Sequence, residues 1–310
     1  MVKILDCTLR DGGYINNWDF SKKNSKEIIK LLKLANIDYI EAGFYHHNLA
    51  EILPENCVDI LAMVQYSKTD INKIPVSCQS KIKGLRVIFK KFESNNALEF
   101  CKKIKDKGYK LFINATFISQ YKDDELIDLI KKINQIAPFA FTVTDSMGVF
   151  TSFDIKKIAS IVSLELNSEI ALCFHSHNNL GLSFSNAQTL IELTKNRELI
   201  VDSSLFGMGR GAGNLKTELI AQYLNKKGAN YDCKFLLNAI DKFIEPIYQK
   251  TPWGYSIPYY LSALNKCHPD YAKFLIEKNV EINRMDKIFS SIPLNKKAVY
   301  DAELIAKQFV

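Results

Sequence analysis

Eight short runs of β-branched and other apolar residues recur along the chain, separated by segments with a different hydrophobic period. In these segments apolar residues fall at i, i+3, i+4 and i+7, the spacing of one helix face, as Ile28, Leu31, Leu32 and Ala35 do. Eight alternating strand and helix units predict an α/β protein with the (β/α)₈ TIM-barrel fold. The runs are Lys3–Thr8, Ile37–Phe44, Asp59–Tyr66, Leu85–Phe89, Lys110–Phe117, Phe139–Asp145, Ile170–His175 and Leu199–Leu205.

Several of these runs, such as "YKLFINATF" and "FAFTVT", are apolar without alternation. This pattern is typical of parallel strands that are covered on both faces. An open doubly wound sheet is the competing architecture, and it would require a glycine-rich phosphate loop after the first strand. The glycine spacing of "RDGGYIN" does not match that loop, so the barrel is favoured.

The sequence pattern changes near residue 228. Later segments, such as "CKFLLNAIDKFIEPIYQK", have helical character without intervening strands, and Pro252, Pro258 and Pro269 interrupt them. We therefore expect a barrel over residues 1–227 and a helical C-terminal extension over residues 228–310 that packs on the barrel.

Composition excludes several classes of function. The 41 basic residues, against 34 acidic ones, are mostly lysines spread over helix-like segments, so no nucleic-acid partner is expected. The seven cysteines include no Cys-x-x-Cys pair, which indicates reduced thiols. No apolar run approaches the roughly 20 residues of a membrane span, and the N-terminus does not resemble a signal peptide. These features predict a cytoplasmic protein without membrane contact.

Polar and charged residues stand at the ends of the predicted strands. In a barrel of parallel strands, the C-terminal ends converge on one site, so these residues are candidates for binding and catalysis. They are Arg10 and Asp11 after strand 1, Glu41 in strand 2 with His46 and His47 beyond it, Ser146 after strand 6, and His175 and His177 at strand 7.

The His-x-His pair at strand 7 is a candidate metal site. Side chains on a strand alternate with period two, so His175 and His177 face the same side. Asp11 of the neighbouring first strand would complete a two-histidine, one-carboxylate set that suits Mn²⁺, Fe²⁺, Co²⁺ or Zn²⁺. The alternative is a hydrogen-bonded polar pair at a strand end.

Arg10 and Glu41 also allow two interpretations. They could form an ion pair that braces strands 1 and 2, or Glu41 could orient Arg10 toward an oxyanion that develops in a reaction. Both can hold at once. The run "GMGRGAGN", residues 207–214, is either a loop that needs glycine conformations or a backbone cradle for an anion.

Four motifs taken together, "LRDGGY", "IEAGF", "HSHNNLGLSFSNA" and "VDSSLFGMGRGAGNLKTE", resemble the DRE-TIM metallolyase (HMGL-like) superfamily. The resemblance covers residues 1 to about 225 and is strongest to the 4-hydroxy-2-oxovalerate aldolase branch. It implies that Asp11, His175, His177 and Asn214 bind a divalent metal, with Mn²⁺ expected first and Mg²⁺, Co²⁺ or Zn²⁺ as alternatives. It also implies that Arg10 stabilises an enolate oxygen.

Two departures from the family pattern affect the expected chemistry. The cysteine that lyases of the superfamily carry in the loop after strand 8 has no counterpart in "SLFGMG", which disfavours hydroxymethylglutaryl-CoA lyase chemistry. Tyr14 stands where the aldolases have a histidine for proton transfer, and a phenol with a pKa near 10 is a poor base at pH 7. Four possibilities therefore stay open. Tyr14 could transfer the proton, His46 or His47 could transfer it, the reaction could differ from that of the aldolases, or Tyr14 could have only a packing role.

The resemblance predicts a carbon–carbon lyase that forms or cleaves a bond through the enolate of pyruvate or a related 2-oxo acid, with an aldehyde as second substrate. Ser146 and Tyr260 are expected to contact the substrate. The alternatives are a Claisen-type condensing enzyme that uses an acyl-CoA, as isopropylmalate and homocitrate synthases do, and a catalytically silent metal-binding barrel. A homodimer is compatible with the family, whereas the divergent C-terminal segment does not favour an aldehyde dehydrogenase partner.

Overall fold

The computed structural model of the chain describes residues 1–55 and 57–307 and contains a closed barrel of eight parallel strands in sequence order. The barrel closes where β1 pairs with β8, with Val2 opposite Leu199. The predicted TIM barrel is therefore confirmed. The strands are β1 Val2–Asp6, β2 Tyr39–Phe44, β3 Ile60–Gln65, β4 Gly84–Phe89, β5 Lys110–Ala115, β6 Ala140–Asp145, β7 Ala171–Ser176 and β8 Leu199–Ser203.

Helices surround the barrel and form the C-terminal part of the chain. The α-helices are α1 Gly13–Asn16, α2 Lys22–Leu34, α3 Ser94–Asp106, α4 Asp123–Ile136, α5 Ser152–Glu165, α6 Ser183–Leu193, α7 Thr217–Asn225, α8 Cys233–Ala239, α9 Glu245–Lys250, α10 Ile257–Leu264, α11 Pro269–Glu277, α12 Ile282–Ser291, α13 Leu294–Lys297 and α14 Ala302–Lys307. Two π-helical turns span Thr8–Gly12 and Ile240–Ile244. Short 3₁₀ turns span Leu49–Glu51, Tyr66–Lys68, Ile71–Lys73, Ser77–Gln79, Lys91–Glu93, Ile118–Gln120 and Leu205–Gly207.

The strand and helix alternation is less regular than the sequence predicts. In the described parts of the connections from β2 to β3 and from β3 to β4, the chain forms 3₁₀ turns and no α-helix. Pro54 and Pro75 lie in these two connections, and a proline inside a helix removes a backbone hydrogen bond and clashes with the preceding turn. The expected helix after every strand is therefore wrong at these two places.

The strands are apolar on both faces because each face packs against a different core. Residues that point outward, such as Ile113 and Val143, join the large core between the barrel and its helices. The residues that alternate with these along each strand point inward and form a smaller core inside the barrel. This core is made of Leu5, Cys7, Tyr39, Leu61, Phe112, Ala140, Ala171, Cys173 and Ile200. Two residues further along the strands, the interior positions include Glu41, Arg86 and Asp202. The barrel interior thus changes from an apolar layer to a charged layer toward the C-terminal ends of the strands.

The C-terminal helices have two different packing environments. Leu236, Ile244 and Trp253 belong to the same core as the barrel and its surrounding helices. Helices α11 and α12 contribute to a separate cluster that contains Tyr271 and Phe289. The division of the chain into two units at residue 228 stays a prediction. Across residues 1–55 and 57–307, no helix has the length and apolarity needed to cross a membrane.

Candidate active site

A cavity of about 290 Å³ opens at the C-terminal ends of the strands. Its wall combines residues of the barrel, including Asp11, His175 and His177, with residues from the C-terminal segment, including His268 and Tyr300. The inner end therefore holds the polar residues that follow the strands, while the outer end is closed by the part of the chain beyond the barrel.

Asp11, His175 and His177 form a cluster of three buried side chains whose potential ligand atoms all lie within 4.8 Å of one another. The Nδ1 atom of His175 lies 3.0 Å from Oδ2 of Asp202, and Nδ1 of His177 lies 3.0 Å from the backbone oxygen of Asp145. Because an oxygen accepts at each Nδ1, the neutral form of either ring carries its proton on that atom and has a lone pair on Nε2. Two such lone pairs beside a carboxylate match the ligand chemistry of a divalent metal.

Asn214 extends this cluster from the loop after β8. Its Nδ2 atom donates to Oδ2 of Asp11 at 2.8 Å, which leaves the side-chain oxygen as the free end of the amide. That oxygen is buried without a hydrogen-bond partner, and so is Nε2 of His177. Gly209 makes room for this arrangement, because a Cβ atom there would lie 2.3 Å from Asn214 Nδ2. Two unpartnered buried ligand atoms beside a carboxylate fit a bound cation.

A buried chain of charges links Arg10 to the metal-ligand cluster. Nε of Arg10 donates to Oε2 of Glu41 at 2.5 Å, and its Nη1 donates to Asp11. The other Glu41 oxygen lies 3.6 Å from Nε of Arg86. Arg86 in turn donates two hydrogen bonds to Asp202, at 2.5 and 3.0 Å. Five ionisable side chains inside the barrel therefore hold one another in fixed positions.

This charge network keeps Asp202 and Asp11 ionised despite their burial. Burial by itself would raise the pKa of Asp202, but Arg86 and His175 lower that pKa to about 2. Burial would also raise the pKa of Asp11, and the Arg10 guanidinium with the nearby histidines holds it well below its ordinary value. Burial lowers the pKa of His175, which keeps this ring neutral and able to bind a metal.

The packing of Trp18 explains why a glycine stands at position 13, shortly after β1. The chain leaves the strand in the π-helical turn Thr8–Gly12, which buries Arg10 and Asp11. The indole of Trp18 then packs on the backbone at Gly13, where a Cβ atom would lie 2.1 Å from Trp18 Cδ1. The same indole donates from Nε1 to the backbone oxygen of Arg10 at 2.8 Å. Trp18 therefore fixes the backbone that directs Arg10 and Asp11 into the cavity.

Three of the residues predicted to be catalytic or to contact the substrate, Arg10, Tyr14 and Ser146, line the cavity. Tyr14 is half-buried, and the Arg210 guanidinium lies over its ring at 4.2 Å from the centroid. Ser146 also lines the cavity, but its hydroxyl accepts a hydrogen bond from the backbone N–H of Phe117 at 2.9 Å. Ser146 thus fixes the loop after β5 and still has its hydroxyl hydrogen to donate.

His46 and Tyr260 lie elsewhere and do not line this cavity. β2 loses its regular pairing between Glu41 and Phe44, and Gly43 has φ of 151°, so the chain turns before the histidines. His46 is exposed and stacks on Phe44, with 5.4 Å between ring centroids. Tyr260 lies in the first turn of α10 beside Tyr255, 6.4 Å away between centroids. His47, the other predicted alternative, lines a separate pocket beside Trp18.

Several residues of the site were not predicted from the sequence. Arg86 and Asp202 are the partners that position Glu41 and His175, and Arg210 and His268 line the outer cavity. A charged residue within an otherwise apolar strand, as in "GLRVIF" and "LIVDS", is a signal that could have identified the first two. His268 follows the helical segment α10 and carries no comparable sequence signal.

Comparison with known proteins decides the family. The sequence profile of the HMGL-like family matches residues 1–242. The chain belongs to the HMGL-like family. The resemblance inferred from the motifs is thereby confirmed.

Individual relatives agree with this assignment. The chain is 25% identical to 4-hydroxy-2-oxovalerate aldolase of Carboxydothermus hydrogenoformans over 265 residues, which are 79% of this chain and 77% of the aldolase. It is 23% identical over 247 residues to oxaloacetate decarboxylase of Mycobacterium tuberculosis, covering 73% of this chain and 70% of that enzyme. A solved structure of the N-terminal domain of a candidate aldolase from Bacteroides vulgatus superposes with a TM-score of 0.74 and 29% identity, over 88% of this chain and 96% of that domain.

The family and its relatives define the class of reaction. The chain is a carbon–carbon lyase of the aldolase branch of this HMGL-like family. This agrees with the site, which gathers a carboxylate, two imidazoles and a buried guanidinium in one cavity.

Proposed function

We propose that this enzyme is a divalent-metal-dependent aldolase that cleaves a 4-hydroxy-2-oxo acid into pyruvate, or a related 2-oxo acid, and a carbonyl compound. The observation that carries the proposal is the convergence of Asp11, His175 and His177 beside Arg10 in one cavity. The naming of the Carboxydothermus relative as 4-hydroxy-2-oxovalerate aldolase supports the same reaction class.

Asp11, His175, His177 and Asn214 would hold the metal, through one carboxylate oxygen, two Nε2 atoms and the unpartnered amide oxygen. When bound, the ion supplies a Lewis acid for the 2-oxo group of the substrate. Nitrogen and oxygen ligands of this kind suit Mn²⁺ first, with Mg²⁺, Co²⁺ and Zn²⁺ as alternatives.

Arg10 supplies the second stabilising charge. In the cleavage, the O–H bond at C4 and the C3–C4 bond both break, a C4 carbonyl forms, and the C3–C4 electron pair enters the enolate. A proton then joins C3 to give the 2-oxo acid. The Arg10 guanidinium donates to the enolate oxygen, where negative charge develops, and Glu41 holds the guanidinium in place beforehand.

Tyr14 is the residue proposed to transfer the proton of the C4 hydroxyl. Of the proton-transfer candidates expected from the sequence, it is the one that lines the cavity, whereas His46 and His47 do not. Its phenol donates and accepts hydrogen bonds, so it can pass the hydroxyl proton to water at the cavity mouth. Ser146, with its hydroxyl oxygen already engaged by Phe117, donates its hydrogen to the substrate.

The test measures enolate formation directly. Purified enzyme with Mn²⁺ and pyruvate in D₂O is expected to exchange the pyruvate methyl protons for deuterium, observed as loss of the methyl proton NMR signal. Asp11→Asn is expected to lower the exchange rate by at least about 100-fold, because the carboxylate ligand and the partner of Arg10 are both lost. Lys156→Met, an exposed substitution on α5, is the control for changes in surface charge.

The alternatives give different results in the same assays. A Claisen-type enzyme would leave pyruvate unexchanged and would condense it with acetyl-CoA, releasing free thiol. A silent barrel would show neither reaction with any 2-oxo acid. The expectations of a cytoplasmic location and a homodimer, and the absence of an aldehyde dehydrogenase partner, stay predictions for this aldolase.

A further inference from the structure

Arg210 is a half-buried cation in the cavity wall without an acidic partner. Among residues 1–55 and 57–307, no carboxylate oxygen lies within 4.0 Å of its guanidinium. Its contacts are instead the ring of Tyr14 and the Nε2 atom of His268, at 3.2 Å from Nη1. Arg10, at the inner end of the same cavity, is neutralised by Glu41 and Asp11. The two arginines therefore differ in whether the protein itself balances their charge.

The part of the cavity wall beyond the Arg10–Asp11 pair carries an excess of positive charge. Lys68, Lys90 and Arg210 belong to the lining, and Glu93 is its remaining acidic residue. Glu93 already accepts the backbone N–H of Lys90 at 2.8 Å. Neither lysine forms an ion pair within the described part of the chain. Three cations against one acid would attract an anionic ligand group to this part of the cavity.

His268 faces Arg210 with a hydrogen-bonding conflict. Burial, together with the charge of Arg210, holds the pKa of His268 well below its ordinary value, so the ring is neutral at pH 7. A neutral imidazole has one N–H group and one lone pair. The backbone N–H of Asp270 points at Nδ1, at 3.2 Å, and Nη1 of Arg210 points at Nε2, also at 3.2 Å. Two N–H donors therefore compete for the one lone pair of this ring.

We propose that Arg210 and His268 bind a carboxylate on the carbonyl half of the substrate, so that the enzyme prefers 4-hydroxy-2-oxo dicarboxylates to analogues with an alkyl group at that position. An oxyanion accepts from Arg210 and balances the charge of the guanidinium, and His268 then keeps its lone pair for Asp270 and donates from Nε2 to the same anion. This inference rests on the proposed aldolase function, which places the 2-oxo group at the metal ligands and the substituent of C4 toward the opposite end of the cavity.

The binding test uses two analogues that cannot be cleaved. 2-Oxoglutarate carries a carboxylate where 2-oxopentanoate of equal chain length carries a methyl group. With Mn²⁺-loaded enzyme in a titration calorimeter, 2-oxoglutarate is expected to bind about 10- to 100-fold more tightly, the contribution of charge-assisted hydrogen bonds. In Arg210→Met the ratio of the two dissociation constants is expected to fall below about threefold, because the charge-assisted bonds are lost. Lys156→Met, with the same change in net charge, keeps the wild-type ratio.

The kinetic test applies the same comparison to the reaction. Cleavage of 4-hydroxy-2-oxoglutarate and 4-hydroxy-2-oxopentanoate is followed by pyruvate release, and the ratio of their kcat/KM values should match the binding ratio and fall in Arg210→Met. Arg210→Lys keeps the charge and loses the planar fork, so an intermediate ratio is expected.

The outcomes separate this inference from the proposed function. If the wild type exchanges pyruvate protons and cleaves both substrates with equal kcat/KM, or if Arg210→Met keeps the wild-type ratios, the carboxylate subsite is wrong and the aldolase stands. If the wild type neither exchanges nor cleaves, the proposed function is wrong and the subsite loses its basis.

Discussion

Asp202 offers a stringent test of the buried charge network, because it contacts both the candidate metal ligand and the central arginine. Its Oδ2 atom lies 3.0 Å from Nδ1 of His175 and accepts from Nη1 of Arg86 at 2.5 Å, while Oδ1 accepts from Nη2 of Arg86 at 3.0 Å. In Asp202→Asn, one of these oxygens becomes an NH₂ group. A donor then faces either His175 or Arg86, and the charge that balances Arg86 is lost.

Two quantities should change in this variant. Removing one partner of a buried ion pair costs about 3–5 kcal/mol in the free energy of unfolding. Loss of the carboxylate that orients a metal-binding histidine lowers metal affinity by about 10- to 100-fold. Urea unfolding monitored by circular dichroism measures the first quantity, and calorimetric titration of Mn²⁺ into metal-free protein measures the second.

A double variant separates the two effects. In Arg86→Met with Asp202→Leu, no unpaired charge remains between these positions, so the variant should recover most of the about 3–5 kcal/mol that Asp202→Asn loses in the free energy of unfolding. The metal affinity should stay low, because His175 still lacks its carboxylate. A folded Asp202→Asn protein that binds Mn²⁺ with wild-type affinity would refute the role assigned to Asp202.

Three further predictions test separate parts of the site. Asn214→Ala should weaken Mn²⁺ binding about tenfold in calorimetry, because it removes the unpartnered oxygen and the hydrogen bond to Asp11; unchanged affinity would exclude Asn214 as a ligand. Glu41→Gln should lower the free energy of unfolding by about 3 kcal/mol in urea titrations, since Arg10 and Arg86 lose the charge between them; stability equal to wild type would argue against the network. Tyr14→Phe should slow cleavage about 100-fold, whereas His46→Ala should change the rate less than about twofold, in steady-state assays of pyruvate release; the reverse order would return proton transfer to His46.

The barrel could be predicted because its strands have a strong local signal. Both faces of each strand are buried, so runs such as "LFINA" stand out from the helical segments. The absence of an α-helix from the described connections before β3 and β4 was harder to predict, because the spacing of the neighbouring strands suggested a regular strand and helix repeat. Proline content was the available signal there.

The site residues could be predicted from the sequence where they lie at the end of a single regular strand. Asp11 and the His175–His177 pair follow this rule, because strand geometry fixes which way they point. His46 misled the same reasoning, because an irregular β2 turns the chain away first. Arg86 and Asp202 are 116 residues apart and meet only across the closed barrel. The approach of His268 to Arg210 likewise depends on how the C-terminal helices pack.

The central claim is that Asp11, His175, His177 and Asn214 bind one divalent cation. A crystal grown with Mn²⁺ and oxalate, with diffraction data collected at the manganese absorption edge, tests it most directly. We predict one anomalous peak within metal–ligand bonding distance of a carboxylate oxygen of Asp11 and of Nε2 of both histidines, with the Asn214 oxygen turned toward it. A peak elsewhere, or no peak at saturating Mn²⁺ with these side chains apart, would contradict the account.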